Sequence, residues 1–202
     1  MIETSQIFTF LFLMLGPFKI IGPFAKMTQS ATPQLTRQIA MRAIIYSILG
    51  ILLASLLGEK VLGNFGIPIP ILALTGGLIL FLVALSNVLQ QFTPPSPKEV
   101  QPEPTLQMAL NLLAFPTIVT PYGIAAVIVF MAISPDLRGQ LMVGAMVIGI
   151  MVLNLVVMLL TRHIGKVLFL ILSLLGAVLG VVQVALGLMI MYNQLQNLLP
   201  IQ

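Results

Sequence analysis

The chain has 202 residues, of which 59% are hydrophobic and only 7% are charged, whereas soluble domains carry roughly 45–50% and 25%. This composition indicates a membrane protein, and the absence of Cys with a single His excludes disulfides and thiolate metal sites and leaves too few ligands for a zinc site. The net charge of +4 comes from nine scattered Lys and Arg residues, without the basic patch that nucleic-acid binding requires.

Six apolar stretches are each near the roughly 20 residues that a helix needs to cross the hydrocarbon core of a bilayer. They cover residues 5–27, 38–58, 68–91, 106–132, 139–161 and 168–192. The predicted fold is an all-α membrane protein with six transmembrane helices. Its surroundings are then the lipid bilayer, and no nucleic-acid partner is expected.

The first span is interrupted twice around one lysine. The residues of this interruption are Gly16, Pro17, Lys19, Gly22 and Pro23. Each proline lacks a backbone N–H, so the carbonyl four residues earlier loses its helical partner: Leu13 for Pro17 and Lys19 for Pro23. Such a backbone cannot face lipid and must line protein or water. Lys19 lies too far from either end of the span to reach an interface easily, which favours a functional role.

A Pro-rich and charged stretch at 93–105 follows the third span and is predicted to be a cytoplasmic linker. It separates a first three-helix repeat, 1–92, from a second one, 106–202. Six Lys and Arg residues flank the odd-numbered loops and two flank the others, which predicts that both termini lie outside. The predicted location is the inner (plasma) membrane.

The two halves resemble one another in sequence. Residues 31–38 match residues 133–140, and Ile71–Gly76 matches Ile171–Gly176 in the same order. Because each half has an odd number of spans, the second half must enter the membrane from the opposite side. The prediction is a 3+3 inverted-topology repeat in which helices 1 and 4 are both broken at Gly or Pro.

The fourth span carries the second interruption. Its prolines and neighbouring polar residues are Asn111, Pro116, Thr117, Thr120 and Pro121. In an inverted repeat, half-helices beginning at Pro23 and Pro121 are predicted to point their N-termini at the midplane, where they favour a carboxylate. The unwound carbonyls favour a cation or an ammonium group. These ten residues of the two interruptions, Lys19 among them, are the predicted binding site for a small-molecule substrate.

Other polar residues in the spans are given simpler roles. Asn154 and Gln183 are expected to form hydrogen bonds between helices. No Asp or Glu lies within a span, so a carboxylate proton relay is not visible; H⁺ or Na⁺ coupling is left undetermined, and proton coupling would require Lys19 or Glu59. No cofactor is expected. The chain is not expected to be an enzyme, because no catalytic set of a nucleophile, a base and an orienting group can be assembled from its residues.

Small residues recur at helical spacing, as in Ala73 and Gly77 or Gly176 and Gly180. They allow two helix backbones to approach closely. The same pattern is compatible with contacts within one bundle and with contacts between two copies of the chain. The sequence therefore leaves homo-oligomer formation undecided.

Several motifs resemble those of the MarC family of integral membrane proteins. They are Gly58-Glu-Lys-Val-Leu62, Gly66-Ile67, the run Leu74–Ala84 that begins Leu-Thr-Gly-Gly, Ala114-Phe-Pro116 with Pro121, and Leu175-Gly-Ala-Val-Leu179. The resemblance implies six spans, outside termini, a relation to the lysine-exporter-like superfamily, and transport of neutral amino acids such as glycine and alanine. The chain departs from the family pattern at Lys19, where many members lack a base, and at Thr120, which replaces Gly.

These observations predict a secondary transporter that moves a small solute, with a neutral amino acid as the preferred candidate, by alternating access around the two broken helices. Two other functions use features of the same sequence. One is an exporter or channel for metabolites or drugs, and the other is a membrane scaffold that transports nothing and needs no cavity between the interruptions.

Overall fold

The computed structural model describes residues 4–90, 105–107, 109–132, 134, 136–161 and 166–199. Its helices are α1 (Thr4–Leu15), α2 (Ile21–Met27), α3 (Pro33–Phe65), α4 (Ile69–Gln90), α5 (Pro121–Ala132), α6 (Leu137–Leu160) and α7 (Lys166–Leu198). A single 3₁₀ turn, Pro17–Lys19, joins α1 to α2, and a π-helical segment, Ala109–Ile118, precedes α5. The described part of the chain contains no β-strand, so the predicted all-α fold is confirmed.

Membrane-crossing stretches recur along the chain much as the hydropathy predicts. Within the described residues, five helical stretches are long and apolar enough to cross a bilayer, among them Ile7–Met27, which includes the interruption of the first span. The π-helical segment and α5 form a sixth when they are counted as one span bent by 55°. The first and fourth spans are therefore each broken into two helical segments, as predicted.

Helix ends follow local signals in the sequence. Thr32 caps α3, because its hydroxyl accepts a hydrogen bond from the N–H of Leu35 at 3.3 Å. Asp136 caps α6 by accepting from the N–H of Gly139 at 3.2 Å. Gly66 ends the α3 region with a positive φ of 61°, the backbone conformation in which glycine is favoured after a helix.

Three of the contacts between helices join corresponding spans of the two halves. α4 packs along α7, α3 packs against α6, and α1 packs against α5. In terms of the predicted spans these are the third with the sixth, the second with the fifth, and the first with the fourth. Other spans are also in contact, as α4 is with α5 and α1 is with α6. The inverted repeat therefore stays a prediction.

Close packing of α4 on α7 depends on two glycines. A Cβ added to Gly187 would lie 2.8 Å from the backbone nitrogen of Phe81, and one added to Gly77 would lie 2.9 Å from Cγ2 of Ile190. The expectation that Gly77 allows close approach of helices is therefore confirmed, within one chain. The predicted linker at 93–105, apart from Thr105, and His163 in the fifth loop lie outside the described residues.

Candidate functional site

The first interruption occurs where α1 ends at Leu15. Gly16 has an extended backbone, with φ of −72° and ψ of 171°, and a Cβ at this position would collide with the carbonyl oxygen of Phe12. Pro17 follows as the first residue of the 3₁₀ turn and supplies no N–H to α1. The helix therefore stops in the interior of the protein, and its last carbonyls need other donors.

Three side chains supply those donors. The Nε2 of Gln183 on α7 donates to the carbonyl of Leu13 at 2.5 Å, and the Nδ2 of Asn154 on α6 donates to that of Leu15 at 2.8 Å. The Nζ of Lys19 donates to the carbonyl between them, that of Met14. The predicted interhelical role of Asn154 and Gln183 is confirmed, and the Leu13 carbonyl that Pro17 leaves free is the one that Gln183 satisfies.

Lys19 also joins the first interruption to the second. Its Nζ lies 3.2 Å from the phenol oxygen of Tyr122, and 5.0 Å from the centre of the same ring. The side chain is half-buried. Two hydrogen bonds and the face of an aromatic ring thus compensate for part of the cost of removing the amino group from water.

The second interruption lies in the π-helical segment, where Phe115 has an extended backbone and a cis peptide bond joins it to Pro116. Pro116 leaves the carbonyl of Leu112 without its helical N–H, and the Thr117 hydroxyl donates to that carbonyl at 2.5 Å. This repair is local, whereas the first interruption is repaired by side chains from α6 and α7.

α5 begins at the predicted residue, Pro121. The Thr120 hydroxyl accepts from the N–H of Gly123 at 3.2 Å, which is the hydrogen bond of an N-cap. Proline suits the next position because its missing N–H would have no partner there. Leu15 packs directly over Gly123, since a Cβ added to that glycine would lie 2.6 Å from Cδ2 of Leu15. The two interruptions are therefore in contact.

A cavity of about 490 Å³ lies between α1, α4, α5 and α7. Its lining runs along α1 from Ser5 to Met14, nine residues or about 13 Å at 1.5 Å per residue. Met14 and Tyr122 lie at the inner end, where the interruptions meet. The opposite end lies beside the residues near both chain termini. It has the polar side chains Ser5, Thr9, Asn193 and Gln194.

One of the predicted site residues, Lys19, lies directly behind the inner end of this cavity. Lys19 touches the two lining residues Met14 and Tyr122. Asn111 is exposed, and Gly22 has open space where a Cβ would be. None of the ten predicted residues is itself among the lining residues.

The first half-helix begins earlier than predicted. α2 starts at Ile21 rather than at Pro23, so the proline occupies the third position of the helix. Its missing N–H costs nothing there, because the first four N–H groups of a helix lack helical partners. α2 is also only seven residues long.

Residues that the sequence reasoning missed are those of the cavity wall. Tyr122, Thr9, Gly76 and Gln194 line the cavity, and only the position of Tyr122 beside Pro121 was a signal. The described residues contain no cluster of three His, Asp or Glu side chains that could hold a metal ion.

Comparison with known proteins gives a consistent picture. Residues 2–199 match the sequence profile of a family described as MarC family integral membrane protein. A UPF0056 membrane protein of Methanocaldococcus jannaschii is 30% identical over 138 residues, which cover 67% of each chain. A UPF0056 membrane protein of Aquifex aeolicus is 24% identical over 196 residues, 95% of this chain and 92% of the relative. No solved structure matches the chain significantly.

Proposed function

Because this chain belongs to the MarC family of integral membrane proteins, and because a cavity ends where its two broken helices meet, we propose that it is a secondary transporter of a small solute, with a neutral amino acid as the preferred candidate. The single observation that carries the proposal is the position of the cavity. Broken helices are a recurrent feature of transporter binding sites near the middle of the membrane.

The size and chemistry of the cavity support a small organic solute. Its volume of about 490 Å³ falls within the range of roughly 300–1,000 Å³ that is usual for small-molecule sites. The lining is mostly apolar, with polar groups at its two ends. A scaffold protein would have no use for such a space, so the cavity favours transport over the scaffold function.

Alternating access requires that one end of the pathway be closed while the other is open. The contact of Lys19 with Tyr122 and the packing of Leu15 on Gly123 close the inner end of the cavity. In the proposed cycle, the two broken helices separate at these contacts to admit the solute to the other side. The distribution of Lys and Arg supports outside termini, so the observed cavity would face outward in the plasma membrane.

Uptake into proteoliposomes tests this function. Purified protein is reconstituted, and the entry of labelled glycine, alanine and leucine is measured against empty liposomes. Ala126→Leu adds three carbon atoms to the cavity wall and is expected to abolish uptake. Ala145→Leu, on an exposed face of α6, is the matched control and should retain it. Absence of uptake of every small neutral amino acid by the wild type would overturn the proposal.

A further inference from the structure

The walls of the cavity between its two ends are apolar. The side chains that form most of them are Phe10, Leu13, Phe130, Leu186, Met189 and Ile190. Glycine has no side chain to place against such a wall, and alanine has one methyl group. A leucine-sized side chain moved from water into this space should bind roughly 10- to 100-fold more tightly than glycine. The wall therefore selects solutes with a large apolar part.

The length of the cavity agrees with this selection. The polar residues at the outer end and Tyr122 at the inner end are separated by most of the 13 Å that α1 covers between Ser5 and Met14. A solute as small as glycine would reach only one end and would leave most of the apolar wall uncovered. A branched aliphatic or aromatic body fills more of the space.

The inner end of the cavity has a hydrogen-bond donor, the amino group of Lys19, directly behind its lining. Lys19 contacts both Met14 and Tyr122, and so lies one contact behind the lining. No Asp or Glu is present among the described lining residues. A carboxylate is therefore favoured at this end, whereas an ammonium group finds no opposite charge there.

The phenol of Tyr122 is suited to hold such a carboxylate. A phenol oxygen can accept one hydrogen bond and donate another. The Nζ of Lys19 donates to it at 3.2 Å, and the Thr120 hydroxyl also lies beside it. The phenol keeps its own proton, which it can donate to an acceptor in the cavity. A charged acceptor makes this kind of hydrogen bond stronger than a neutral one does.

We infer that the cavity takes an apolar monocarboxylate, with its carboxylate at Tyr122 and its branched aliphatic or aromatic body along the wall, and that an α-amino group is not required. The class includes leucine-like amino acids and the corresponding acids that lack the amine. The inference rests on the proposed function, since it identifies the solute of the same site.

Binding of four ligands to the purified protein tests the inference directly. Isothermal titration calorimetry in detergent compares leucine, 4-methylpentanoate, 3-methylbutylamine and glycine. The first two keep the carboxylate and the branched body, the third loses the carboxylate, and the fourth loses the body. 4-Methylpentanoate should bind at least as tightly as leucine, and 3-methylbutylamine and glycine should bind about tenfold more weakly than 4-methylpentanoate or worse.

Variants separate the two ends of the ligand. Tyr122→Phe keeps the ring beside Lys19 but removes the hydroxyl, and should weaken 4-methylpentanoate about tenfold. Ala126→Leu should weaken both strong ligands, whereas Ala145→Leu should leave them unchanged. Thermal unfolding of each variant checks that it is folded, and only folded variants are compared.

The outcomes distinguish this inference from the proposed function. Saturable uptake of glycine that exceeds that of leucine would overturn the inference and leave transport standing. Tight binding of 4-methylpentanoate without uptake of any solute would support the inference about the ligand but contradict transport. Equal binding of the amine and the acid, or no binding of any of the four, would overturn the inference.

Discussion

The Nζ of Lys19 lies 3.2 Å from the phenol oxygen of Tyr122, so one hydrogen bond joins the interruption of the first span to the beginning of α5 in the fourth. The same amino group donates to the carbonyl of Met14 at the end of α1. Lys19 therefore binds the end of α1 and connects the first broken span to the second. Its proposed role changes from a residue that touches the solute to one that positions Tyr122.

Replacement of Lys19 should lower stability. Lys19→Met removes the donor to the Met14 carbonyl and leaves a buried acceptor unsatisfied, which costs about 1–3 kcal/mol. Thermal unfolding in detergent should show a lower midpoint for this variant, and Lys19→Arg should recover part of it. Lys26→Met, which alters an exposed lysine on α2, is the control. Equal midpoints for the two Met variants would contradict the role given to Lys19.

Replacement of Gln183 should lower the stability of the protein more than replacement of the buried Ser47 does. Pro17 deprives the Leu13 carbonyl of its helical partner, and Gln183 is the one donor to it among the described residues. Gln183→Leu removes this donor and should cost about 1–2 kcal/mol. Ser47→Ala removes a hydroxyl that bonds to the carbonyl of Ala43 in its own helix. Because that carbonyl also has the helical N–H of Ser47, the expected change is below about 0.5 kcal/mol. A lower unfolding midpoint for Ser47→Ala than for Gln183→Leu would refute the role given to Gln183 at the first interruption.

The N-cap of α5 gives a third expectation. Thr120→Ala removes the acceptor for the Gly123 N–H and should destabilise the protein by about 1 kcal/mol, whereas Thr120→Ser keeps it. The loss should appear in the unfolding free energy of the Ala variant alone. If both variants lose the same stability, the methyl group of Thr120 rather than its hydroxyl is responsible.

A pair of glycines tests the packing of α4 on α7. Gly187→Ala would bring a Cβ to 2.8 Å from the backbone of Phe81 and should cost about 1–3 kcal/mol. Gly149→Ala meets no atom within 4 Å and should stabilise helix α6 by about 0.5–1 kcal/mol. The two substitutions add the same methyl group, so opposite signs in unfolding experiments isolate the contact. A stabilised Gly187→Ala would contradict the close approach of the two helices.

The sequence predicts the membrane-spanning stretches and the breaks well because each has a simple physical cause. A bilayer requires long apolar helices, and a proline removes a hydrogen bond wherever it stands inside one. For this reason the carbonyl of Leu13 is predicted to lack its helical partner, and Gln183 is predicted to form a hydrogen bond between helices. That the two are partners is seen only in the structure. The predicted start of this half-helix at Pro23 is wrong by two residues, since α2 begins at Ile21. Proline is tolerated anywhere in the first turn of a helix, so its position does not fix the first residue.

The cavity could not be predicted in the same way. A membrane helix is apolar on the lipid side and on the protein side, so hydropathy does not show which face of α4 or α7 lines a space. Met189 and Gln194 line the cavity without any pattern in the sequence that separates them from their neighbours. The position of Tyr122 depends on where α5 crosses α1, which is a property of the tertiary structure.

The absence of cysteine from the chain allows the central claim to be tested by thiol labelling. Val129→Cys places one thiol on the cavity wall, and the variant is reconstituted in proteoliposomes and treated with a membrane-impermeant maleimide. If the cavity is the path of the solute, the thiol should react from the side that bears the chain termini, and leucine should slow that reaction. The contradicting result is a labelling rate that neither leucine nor any other transported solute changes. The cavity between the broken helices would then not be the binding site.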